Sequence, residues 1–352
     1  MSFIEVININ ESEKWDDIVR NFENYDVYYL SGYTRAFQIH GDGEPYLIFY
    51  KDKLIRAINV VMKRDIENDR NFTGKIQPNS FFDVTTPYGY GGFLIEGEIN
   101  TESLKALDNA YTTYCKNSGI ISEFVRFHPV IKNYKNLDDM YNIVNLGKTV
   151  SINLKSKTQI WSDFTSKNRN MIRKAQKNGV KIYWGCSQEL FNQFIGLYNV
   201  TMKRDNAKEY YYFSEDFYRS VLYDLKHNSL IFYAVFEEKI VAMSIVLFVN
   251  QKMHYHLSCS DKEYQHLAPT NLLLYEAACW GCDNGYQTFH LGGGLGSRED
   301  SLYKFKKAFN RNFDNVFVIG KKIFDNEKYE NLVFLRGNKI SNDANYFPEY
   351  RS

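Results

Sequence analysis

The sequence contains the stretch His290-Leu-Gly-Gly-Gly-Leu-Gly-Ser-Arg-Glu-Asp-Ser-Leu-Tyr-Lys-Phe-Lys-Lys-Ala-Phe309, which is rich in glycine in its first half and in lysine in its second. The apolar run 288–291 predicts the end of a strand, and three glycines, Gly292, Gly293 and Gly294, follow it. Ser297, with Asp300 three residues later, forms a weak capping-box pattern that predicts the start of a helix. A strand, a glycine turn and a helix in this order are typical of a ligand site.

Two interpretations of this turn stay open. Glycines let the backbone take positive φ and let another group approach closely, and the N–H groups that open a helix attract anions. The helical period places Leu302, Phe305 and Phe309 on one face. The rest of the helix then carries Tyr303, Lys304, Lys306 and Lys307. The alternative is a plain turn into a basic surface helix. The glycine spacing matches neither the dinucleotide-binding fingerprint nor the P-loop, so we predict neither.

The composition is that of a globular protein large enough for two domains. The chain has 352 residues, 44% of them hydrophobic, and a net charge of +1, so charge balance gives no case for nucleic acid. The five cysteines are odd in number and scattered, which favours reduced thiols. The most apolar run, 240–249, is half of a membrane span, and the N-terminus lacks a signal pattern, so we expect a cytoplasmic protein.

The first half alternates predicted strands and helices. We expect a strand at 3–9, a helix from Ser12 to about 22, a hairpin of 46–50 with 54–62, a helix at 101–116 and a strand at 121–127. Between them, residues 83–92 carry Tyr88 and Tyr90 among glycines, which predicts an irregular segment. This segment is either a structural corner or one wall of a pocket. We place a domain boundary near 150, giving domains 1–150 and 151–352.

The second half repeats that alternation. The predicted helices are 168–178, 190–204, one that Ser214 caps, 269–282 and 327–335. The runs 230–236, 240–249 and 253–259 have short connections and predict an antiparallel meander, and a last strand is expected near 316–319. Repetition in the sequence is limited to this coarse similarity between the halves.

A row of like charges on the helix 168–178 suggests an anion. Arg169, Arg173 and Lys177 lie four residues apart, an arrangement that costs a few tenths of a kcal/mol for each pair. A bound phosphate or another anion would offset this cost. A solvated basic face is the alternative.

Other chemistry-bearing patterns are weaker. Cys279 and Cys282 have the spacing of a redox pair, but they close a helix instead of opening one. His254 and His256 alternate on one strand, yet no further ligand at zinc spacing accompanies them, so we predict no metal. His256 is also a candidate general base. Since the Gly-x-Ser-x-Gly elbow of a serine hydrolase is absent, transfer chemistry without a covalent nucleophile remains.

Five stretches taken together resemble the FemAB-like branch of the GNAT acyltransferase superfamily, which includes the peptidoglycan bridge enzymes and BioF2-like acetyltransferases. They are Asp83-Val-Thr-Thr-Pro-Tyr-Gly-Tyr-Gly-Gly92, Ser122-Glu-Phe-Val-Arg-Phe-His-Pro129, Asn168-Arg-Asn-Met-Ile-Arg-Lys-Ala175, residues 255–285 and His290 to Phe309. Each is weak alone, but they occur in the order expected for that family and span most of the chain.

The resemblance implies an α/β fold of two tandem GNAT-like domains, each a mixed, mostly antiparallel sheet flanked by helices. It implies N-acylation, in which an amine attacks a carbonyl carried by acyl-CoA or by aminoacyl-tRNA, with neither held as a resident cofactor. Better-known members add amino acids to peptidoglycan precursors, and others acylate amino sugars for surface polysaccharides. The acceptor is therefore expected to be a small or lipid-linked amino sugar, and any association with a membrane would be peripheral and occur through that acceptor.

The family pattern maps onto individual positions. Phe305 and Lys306 resemble a Phe-Lys pair that lines the reaction site, Tyr255 resembles a tyrosine that faces the reacting groups, and Arg204 resembles an arginine that contacts acceptor phosphates. Where GNAT acyl-CoA sites have Gln/Arg-x-x-Gly-x-Gly/Ala, this chain reads Gln265-His-Leu-Ala-Pro-Thr270, without glycine, which weighs against acyl-CoA. It also lacks the long charged helical hairpin of some tRNA-dependent relatives, which weighs against aminoacyl-tRNA.

These residues define a hypothesis for catalysis. Lys306 supplies positive charge to the oxygen that becomes negative or to an acceptor phosphate, and Tyr255 or Tyr303 protonates the leaving group. Acyl-CoA is slightly favoured as the donor over aminoacyl-tRNA. The competing hypothesis from another class is a module that binds an anionic glycan without turnover.

Overall fold

A computed structural model of the chain describes residues 3–337 and 346–352. It divides into two compact units: unit 1 comprises Met1–Leu146 and Phe317–Ser352, and unit 2 comprises Gly147–Val316. The chain leaves unit 1 close to the boundary that we expected near 150. Residues 317–352, which we had assigned to the C-terminal domain, cluster with unit 1 instead.

Unit 1 is a mixed sheet with helices. Its elements are β1 (Phe3–Asn8), α1 (Ser12–Arg20), α2 (Ser31–His40), β2 (Glu44–Lys51), β3 (Ile55–Asp65), β4 (Phe82–Thr85), β5 (Leu94–Gly97), α3 (Thr101–Asn117) and β6 (Ile120–Arg126). After unit 2 the chain adds β13 (Asn315–Ile323) and α10 (Asn326–Arg336). The strand order is β1-β2-β3-β4-β6-β13, with β5 beside β3. Only the β4–β6 pair among these strands is parallel.

Unit 2 is built in the same way. Its elements are most of β7 (Asn142–Asn153), α4 (Lys157–Asp163), α5 (Ser166–Lys177), β8 (Lys181–Gly185), α6 (Gln188–Arg204), α7 (Glu215–Asp224), β9 (Ser229–Phe236), β10 (Lys239–Val249), β11 (Lys252–Ser260), α8 (Pro269–Asp283), β12 (Thr288–Gly292) and α9 (Ser301–Lys307). The strand order is β7-β12-β11-β10-β9-β8. The predicted meander β9-β10-β11 is confirmed, and β11–β12 is the parallel pair.

The two units share one topology. In each, a run of antiparallel strands leads into a strand, a helix and a parallel strand: β4, α3 and β6 in unit 1, and β11, α8 and β12 in unit 2. A parallel pair needs such a crossover because a hairpin can join only antiparallel strands. The expected fold of tandem mixed, mostly antiparallel sheets flanked by helices is therefore confirmed.

Local sequence explains the helices of unit 2 that bear on function. Thr165 caps α5 by accepting from the Asn168 backbone N–H, and Ile172 and Ala175 bury the inner face of that helix in the unit 2 core. In α8, Pro269 occupies the first turn, where its missing N–H costs no hydrogen bond. The segment 83–92 is less irregular than expected, because its first residues form β4. Within the described residues, no helix combines the length and apolar character that spanning a membrane requires.

Candidate active site

The glycine turn after β12 is a closely packed corner. Gly292 has a φ of +79°, and a side chain on Gly293 would come 2.7 Å from the Lys148 carbonyl oxygen. A side chain on Gly294 would overlap the Arg298 carbonyl and the Asp300 carboxylate. Three consecutive glycines are therefore required here, one for its backbone conformation and two for the close approach of neighbouring atoms.

Asp300, and not Ser297, caps the helix that follows the turn. One carboxylate oxygen of Asp300 accepts from the Tyr303 backbone N–H at 2.9 Å, and the other accepts from the Leu295 N–H at 3.0 Å. Ser297 ends a short 3-10 helix with a φ of +63°. The predicted capping box at Ser297 was wrong because residues 295–297 still belong to the turn, and α9 begins only at Ser301.

Lys306 is buried and points back to the glycine turn. Its side chain is 9% exposed, and its Nζ donates to the Gly293 carbonyl oxygen at 2.7 Å. A Cβ on Gly292 would lie 3.2 Å from that Nζ, so the turn leaves room for the ammonium group. Burial lowers the pKa of Lys306 to about 8, with the charge of Asp300 opposing that shift. At neutral pH the Lys306 ammonium group is therefore a largely desolvated cation.

The inward face of α9 differs from the predicted one. Tyr303 and Lys306 are its buried residues, whereas Leu302 and Phe305 are only partly buried. The Phe305 ring centroid lies 5.5 Å from that of Phe309. The helix is too short for its apolar period to decide its orientation, and the polar contacts of Asp300 and Lys306 do so instead.

Tyr303 is fixed in unit 2 by a hydrogen bond with Asp314 and by packing in the core. Burial and a hydrogen bond with Asp314 raise the pKa of the Tyr303 hydroxyl well above its ordinary value. Its ring belongs to the core of the unit. Asp314 is also paired with Lys307, whose Nζ lies 2.9 Å from its carboxylate. These contacts give Tyr303 a structural position.

Tyr255 and His256 lie on β11 at an irregularity of the sheet. Val246 of β10 is in register with Tyr255 and Ile245 with Leu257, so His256 is the extra residue of a β-bulge in β11. Burial raises the pKa of Tyr255 to about 12, so its hydroxyl remains protonated at neutral pH. Burial and the neighbouring His254 lower the pKa of His256 to about 3. His256 is therefore neutral at working pH and a weak proton acceptor.

The parallel strands β11 and β12 separate beside these residues. They pair only through Lys252–Thr288, Met253–Phe289 and His254–His290, and within the described strands residues 255–260 of β11 have no partner on β12. The carboxyl ends of parallel strands are where α/β sheets bind ligands. Tyr255 begins the free part of β11, and the glycine turn with Lys306 follows the end of β12.

The start of α8 keeps a glycine-type conformation without glycine. Ala268 has φ +58° and ψ +44°, the left-handed region, and its N–H donates to the Gln265 carbonyl at 3.0 Å. This position corresponds to the glycine of the family's Gln/Arg-x-x-Gly pattern. The departure from that pattern therefore leaves the backbone turn itself in place, at a cost of about 1 kcal/mol for a residue with a Cβ.

The predicted basic residues do not converge on one point. Arg204, at the end of α6, is bound to both carboxylate oxygens of Asp205, at 2.8 and 3.1 Å, and donates to the Ser260 carbonyl at 2.7 Å. Arg169 donates to the carbonyl of Trp161, in the last turn of α4, and to the carbonyl of Phe164, which follows that helix. Arg173 is exposed, and its guanidinium carbon lies 5.1 Å from the centroid of the Trp161 ring.

Tyr88 and Tyr90 lie in unit 1, in an aromatic cluster. Phe37 stacks on Tyr88 with ring centroids 5.4 Å apart, and Tyr90 lies 5.5 Å from Tyr28 and 5.6 Å from His128. Both tyrosines are partly exposed. Gly89 between them has a φ of +95°, and any side chain there would strike the Tyr28 ring. In unit 1 this segment is thus a packed corner that also presents aromatic surface.

Sequence reasoning missed a buried acid–base pair in unit 1. Asp26 and His128 are both fully buried, and Nε2 of His128 lies 2.8 Å from the Asp26 carboxylate. Nδ1 of His128 accepts from the backbone N–H groups of Val130 and Ile131, each at 3.2 Å. His128 lies in one of the stretches that carry the family resemblance. Asp26 is about a hundred residues away in the sequence, and no local pattern links the two.

Comparisons with known proteins agree with this fold. A sequence profile of the acetyltransferase (GNAT) domain matches residues 162–307. A comparison with proteins of curated function finds no significant match. Among solved structures, FemX is similar at a TM-score of 0.66 and 14% identity, covering 93% of this chain and 99% of that one.

Two further structures are similar over comparable lengths. The C-terminal DUF2156 domain of an Agrobacterium fabrum protein designated a lysylphosphatidylglycerol synthetase gives a TM-score of 0.55 at 13% identity, with 90% and 92% of the chains covered. A conserved Bacteroides thetaiotaomicron protein of unknown function gives 0.58 at 12%, with 92% and 100% covered. Residues 162–307 thus match a GNAT acetyltransferase domain. The fold of the chain is similar to that of FemX over nearly the whole of both chains.

Proposed function

We propose that the protein is an N-acyltransferase that moves an acyl group from acyl-CoA to an amino group of a cell-envelope precursor, such as an amino-sugar nucleotide or a lipid-linked glycan. The observation that carries this proposal is the buried ammonium group of Lys306, held by the Gly293 carbonyl at the open carboxyl ends of β11 and β12. A water-poor cation at such an opening is suited to stabilise negative charge that develops on a substrate oxygen.

The residues fit a simple sequence of bond changes. The neutral acceptor amine attacks the acyl carbonyl carbon, a C–N bond forms, and the carbonyl oxygen becomes an anion beside Lys306. Collapse of this adduct breaks the C–S bond, and the leaving thiolate takes a proton from the Tyr255 hydroxyl. The phenolate then recovers the proton that the new amide nitrogen loses. The pKa of Tyr255, about 12, keeps its hydroxyl protonated at neutral pH, so the proton is present when the thiolate leaves.

The turn before α8 supports acyl-CoA as the donor. Ala268 adopts the left-handed conformation that the family's glycine provides, and α8 begins there without a side-chain cap, so backbone N–H groups of its first turn are available for an anion. GNAT domains use acyl-CoA as co-substrate. The diphosphate of a CoA donor would be held by those N–H groups.

An aminoacyl-tRNA donor is the second candidate. The absence of glycine in residues 265–270 favours it, and so does the fold similarity to FemX over nearly the whole of both chains. The acceptor would then receive an amino acid instead of a simple acyl group, with Lys306 and Tyr255 in unchanged roles.

Turnover by matched lysine variants tests the proposal. The protein is incubated with acetyl-CoA, longer acyl-CoAs or aminoacyl-tRNAs and with amino-sugar nucleotides or lipid-linked precursors, and the acceptor's mass gain is measured. Lys306→Met should lower kcat/KM about a hundredfold or more, since it removes one preorganised charge. Lys304→Met, on the exposed side of the same helix, should stay within about threefold of wild type. Equal activity of the two variants would refute the role of Lys306, and the lack of any mass gain would favour a non-catalytic glycan-binding module.

A further inference from the structure

The segment that contains α5 is far more basic than the chain as a whole. Between residues 155 and 187 the sequence has eight lysines and arginines and a single acidic residue, Asp163, which is buried, whereas the whole chain has a net charge of +1. The eight cations are Lys155, Lys157, Lys167, Arg169, Arg173, Lys174, Lys177 and Lys181. Unit 2 therefore carries a local concentration of positive charge that the balanced composition hides.

Four of these cations form one exposed row on α5. The inner side of the helix buries Ile172 and Ala175. At 3.6 residues per turn, Lys167, Arg173, Lys174 and Lys177 fall within an arc of about 120° on the opposite side, and all four are exposed. Across residues 3–337 and 346–352, none of the four forms an ion pair. Their charges are thus available to an external partner.

A half-exposed tryptophan lies on the same side of the sheet. Trp184, on the edge strand β8, is 50% exposed and stands directly opposite Phe232 of β9. Opposite residues of an antiparallel pair share a face. Phe232 belongs to the core that Ile172 and Ala175 of α5 also enter, so Trp184 lies on the α5 side of the sheet. We call Trp184 and the four cations the basic face.

We propose that the basic face docks the protein on an anionic lipid surface. Because the apolar side of α5 is buried in the core, the helix would lie on the headgroups and bind chiefly through charge. Tryptophan is favoured at the boundary between headgroups and acyl chains, where Trp184 would sit. This docking is independent of the transfer reaction proposed above, although it would bring unit 2 to a surface where lipid-linked acceptors are found.

The kinds of side chain favour a charged surface over a specific phosphate site. Three of the four cations are lysines, which act as point charges on flexible stems. Arg169, whose planar group could clamp a phosphate with two bonds, is instead bound to the backbone carbonyls of Trp161 and Phe164. The row is convex, since it runs along the outside of a helix. A lipid surface, which attracts through summed charge, matches these features better than a single phosphate group does.

Vesicle binding by the full chain tests this proposal. The probe is a vesicle of phosphatidylcholine mixed with phosphatidylglycerol, with phosphatidylcholine alone as the neutral vesicle, and bound protein is measured by co-sedimentation. Each lysine or arginine near an anionic surface strengthens binding about fivefold. The triple change Arg173→Gln, Lys174→Gln and Lys177→Gln should therefore weaken binding to the anionic vesicles about a hundredfold and reduce its salt dependence.

A control variant separates the basic face from net charge. Lys53→Gln, Lys105→Gln and Lys116→Gln remove three exposed lysines from unit 1 and should bind like wild type. All six substituted positions are exposed, so both variants should keep the wild-type circular dichroism and melting temperature. Trp184→Ser should weaken binding to the anionic vesicles without changing its salt dependence.

Three results would overturn the proposal. The first is a wild-type protein that does not bind anionic vesicles at physiological salt. The second is equal loss of binding in the two triple variants, which would indicate an effect of net charge alone. The third is stronger binding to a duplex RNA probe than to the vesicles, with the RNA displacing the protein from them, which would assign the basic face to nucleic acid.

Discussion

The ammonium group of Lys306 gives a pH dependence with a definite sign. Its folded-state pKa of about 8 lies below the ordinary lysine value of 10.5, so between these values the folded protein binds fewer protons than the unfolded chain. The free energy of unfolding should therefore rise with pH across that window. The shift corresponds to roughly 3 kcal/mol.

Chemical denaturation of wild type and Lys306→Met at a series of pH values measures this contribution. The difference in unfolding free energy, wild type minus variant, should increase by roughly 3 kcal/mol from about pH 8 to pH 10.5 and stay constant below pH 7. Because other lysines and tyrosines titrate equally in both proteins, the difference isolates Lys306. A difference that does not change with pH would mean that the ammonium group is solvated, which would also remove the basis for its catalytic role.

The environments of Tyr255, Tyr303 and His256 distinguish the better candidates for proton transfer from the poorer ones. Tyr255 has a pKa of about 12 and stands where β11 loses its partner, whereas Tyr303 is bound to Asp314 and built into the core. His256 has a pKa of about 3, so it would be a poor general base. We therefore propose Tyr255 as the proton donor, with an acceptor amine that arrives neutral or loses its proton to solvent.

At the scale of elements, the glycine turn sets the position of α9. In Gly294→Ala the added methyl would overlap both the Arg298 carbonyl and the Asp300 carboxylate, which caps the helix. The cap should be displaced and Lys306 moved with it, so we expect kcat/KM to fall about a hundredfold, as for loss of the charge itself. Steady-state kinetics with the substrates identified by mass gain provide the measurement.

Gly296→Ala is the matched control within the same loop. Gly296 has a φ of +58°, but a Cβ there meets no atom within 4 Å. The change should cost about 1 kcal/mol of stability through backbone strain and leave kcat/KM within about threefold of wild type. If Gly294→Ala behaved like Gly296→Ala, the turn would tolerate displacement of Asp300, and its close packing would have no bearing on catalysis.

Elements with a strong local pattern were predictable from the sequence. The meander was expected at 230–236, 240–249 and 253–259 and forms at Ser229–Phe236, Lys239–Val249 and Lys252–Ser260, while α8 was expected at 269–282 and forms at Pro269–Asp283. The start of α9 was misjudged because Ser297 and Asp300 both suit a cap, and only packing against Gly294 chooses between them. The bulge at His256 was invisible, since it depends on the register with β10.

At the scale of the whole molecule, the shared topology of the two units was predictable. Which part of the sequence supplies β13 to unit 1 and β7 to unit 2 was not. Unit 1 takes its seventh strand, β13, from residues that follow most of unit 2, and unit 2 takes β7 from residues that precede most of it. A reading of local pattern assigns each strand to the nearest domain, so residues 317–352 were placed with the C-terminal half. Long-range pairing, such as Ile319 with Arg126, decides the matter instead.

The C-terminal part of unit 1, which follows unit 2 in the sequence, also stabilises unit 1 through a buried ion network. The Asp83 carboxylate is 1% exposed, and one of its oxygens lies 2.7 Å from Nε of Arg64. The other oxygen accepts from Arg351 and, at 3.1 Å, from the Tyr350 hydroxyl. Burial alone would raise the pKa of Asp83, but the charges of Arg64 and Arg351 outweigh it and hold that pKa below its usual value. A carboxylate with a lowered pKa stabilises the folded state above pH 4, and this contribution is lost as pH falls through the folded pKa.

Removal of Arg351 should therefore destabilise unit 1 in a pH-dependent way. Arg351→Ala leaves Asp83 with Arg64 and Tyr350, so we expect a loss of about 2–3 kcal/mol at pH 7, less than for a buried charge left without any partner. The loss should shrink as the pH falls below about 4, where Asp83 of the unfolded chain becomes protonated, and disappear below the lowered folded-state pKa of Asp83. Hydrogen exchange of the β6 amides measures it. Arg20→Ala, which breaks a partly exposed pair with Asp16 at 3.8 Å, should change stability by less than about 0.5 kcal/mol. Equal effects of the two changes at pH 7 would show that apolar packing, and not this ion network, holds the C-terminal segment in unit 1.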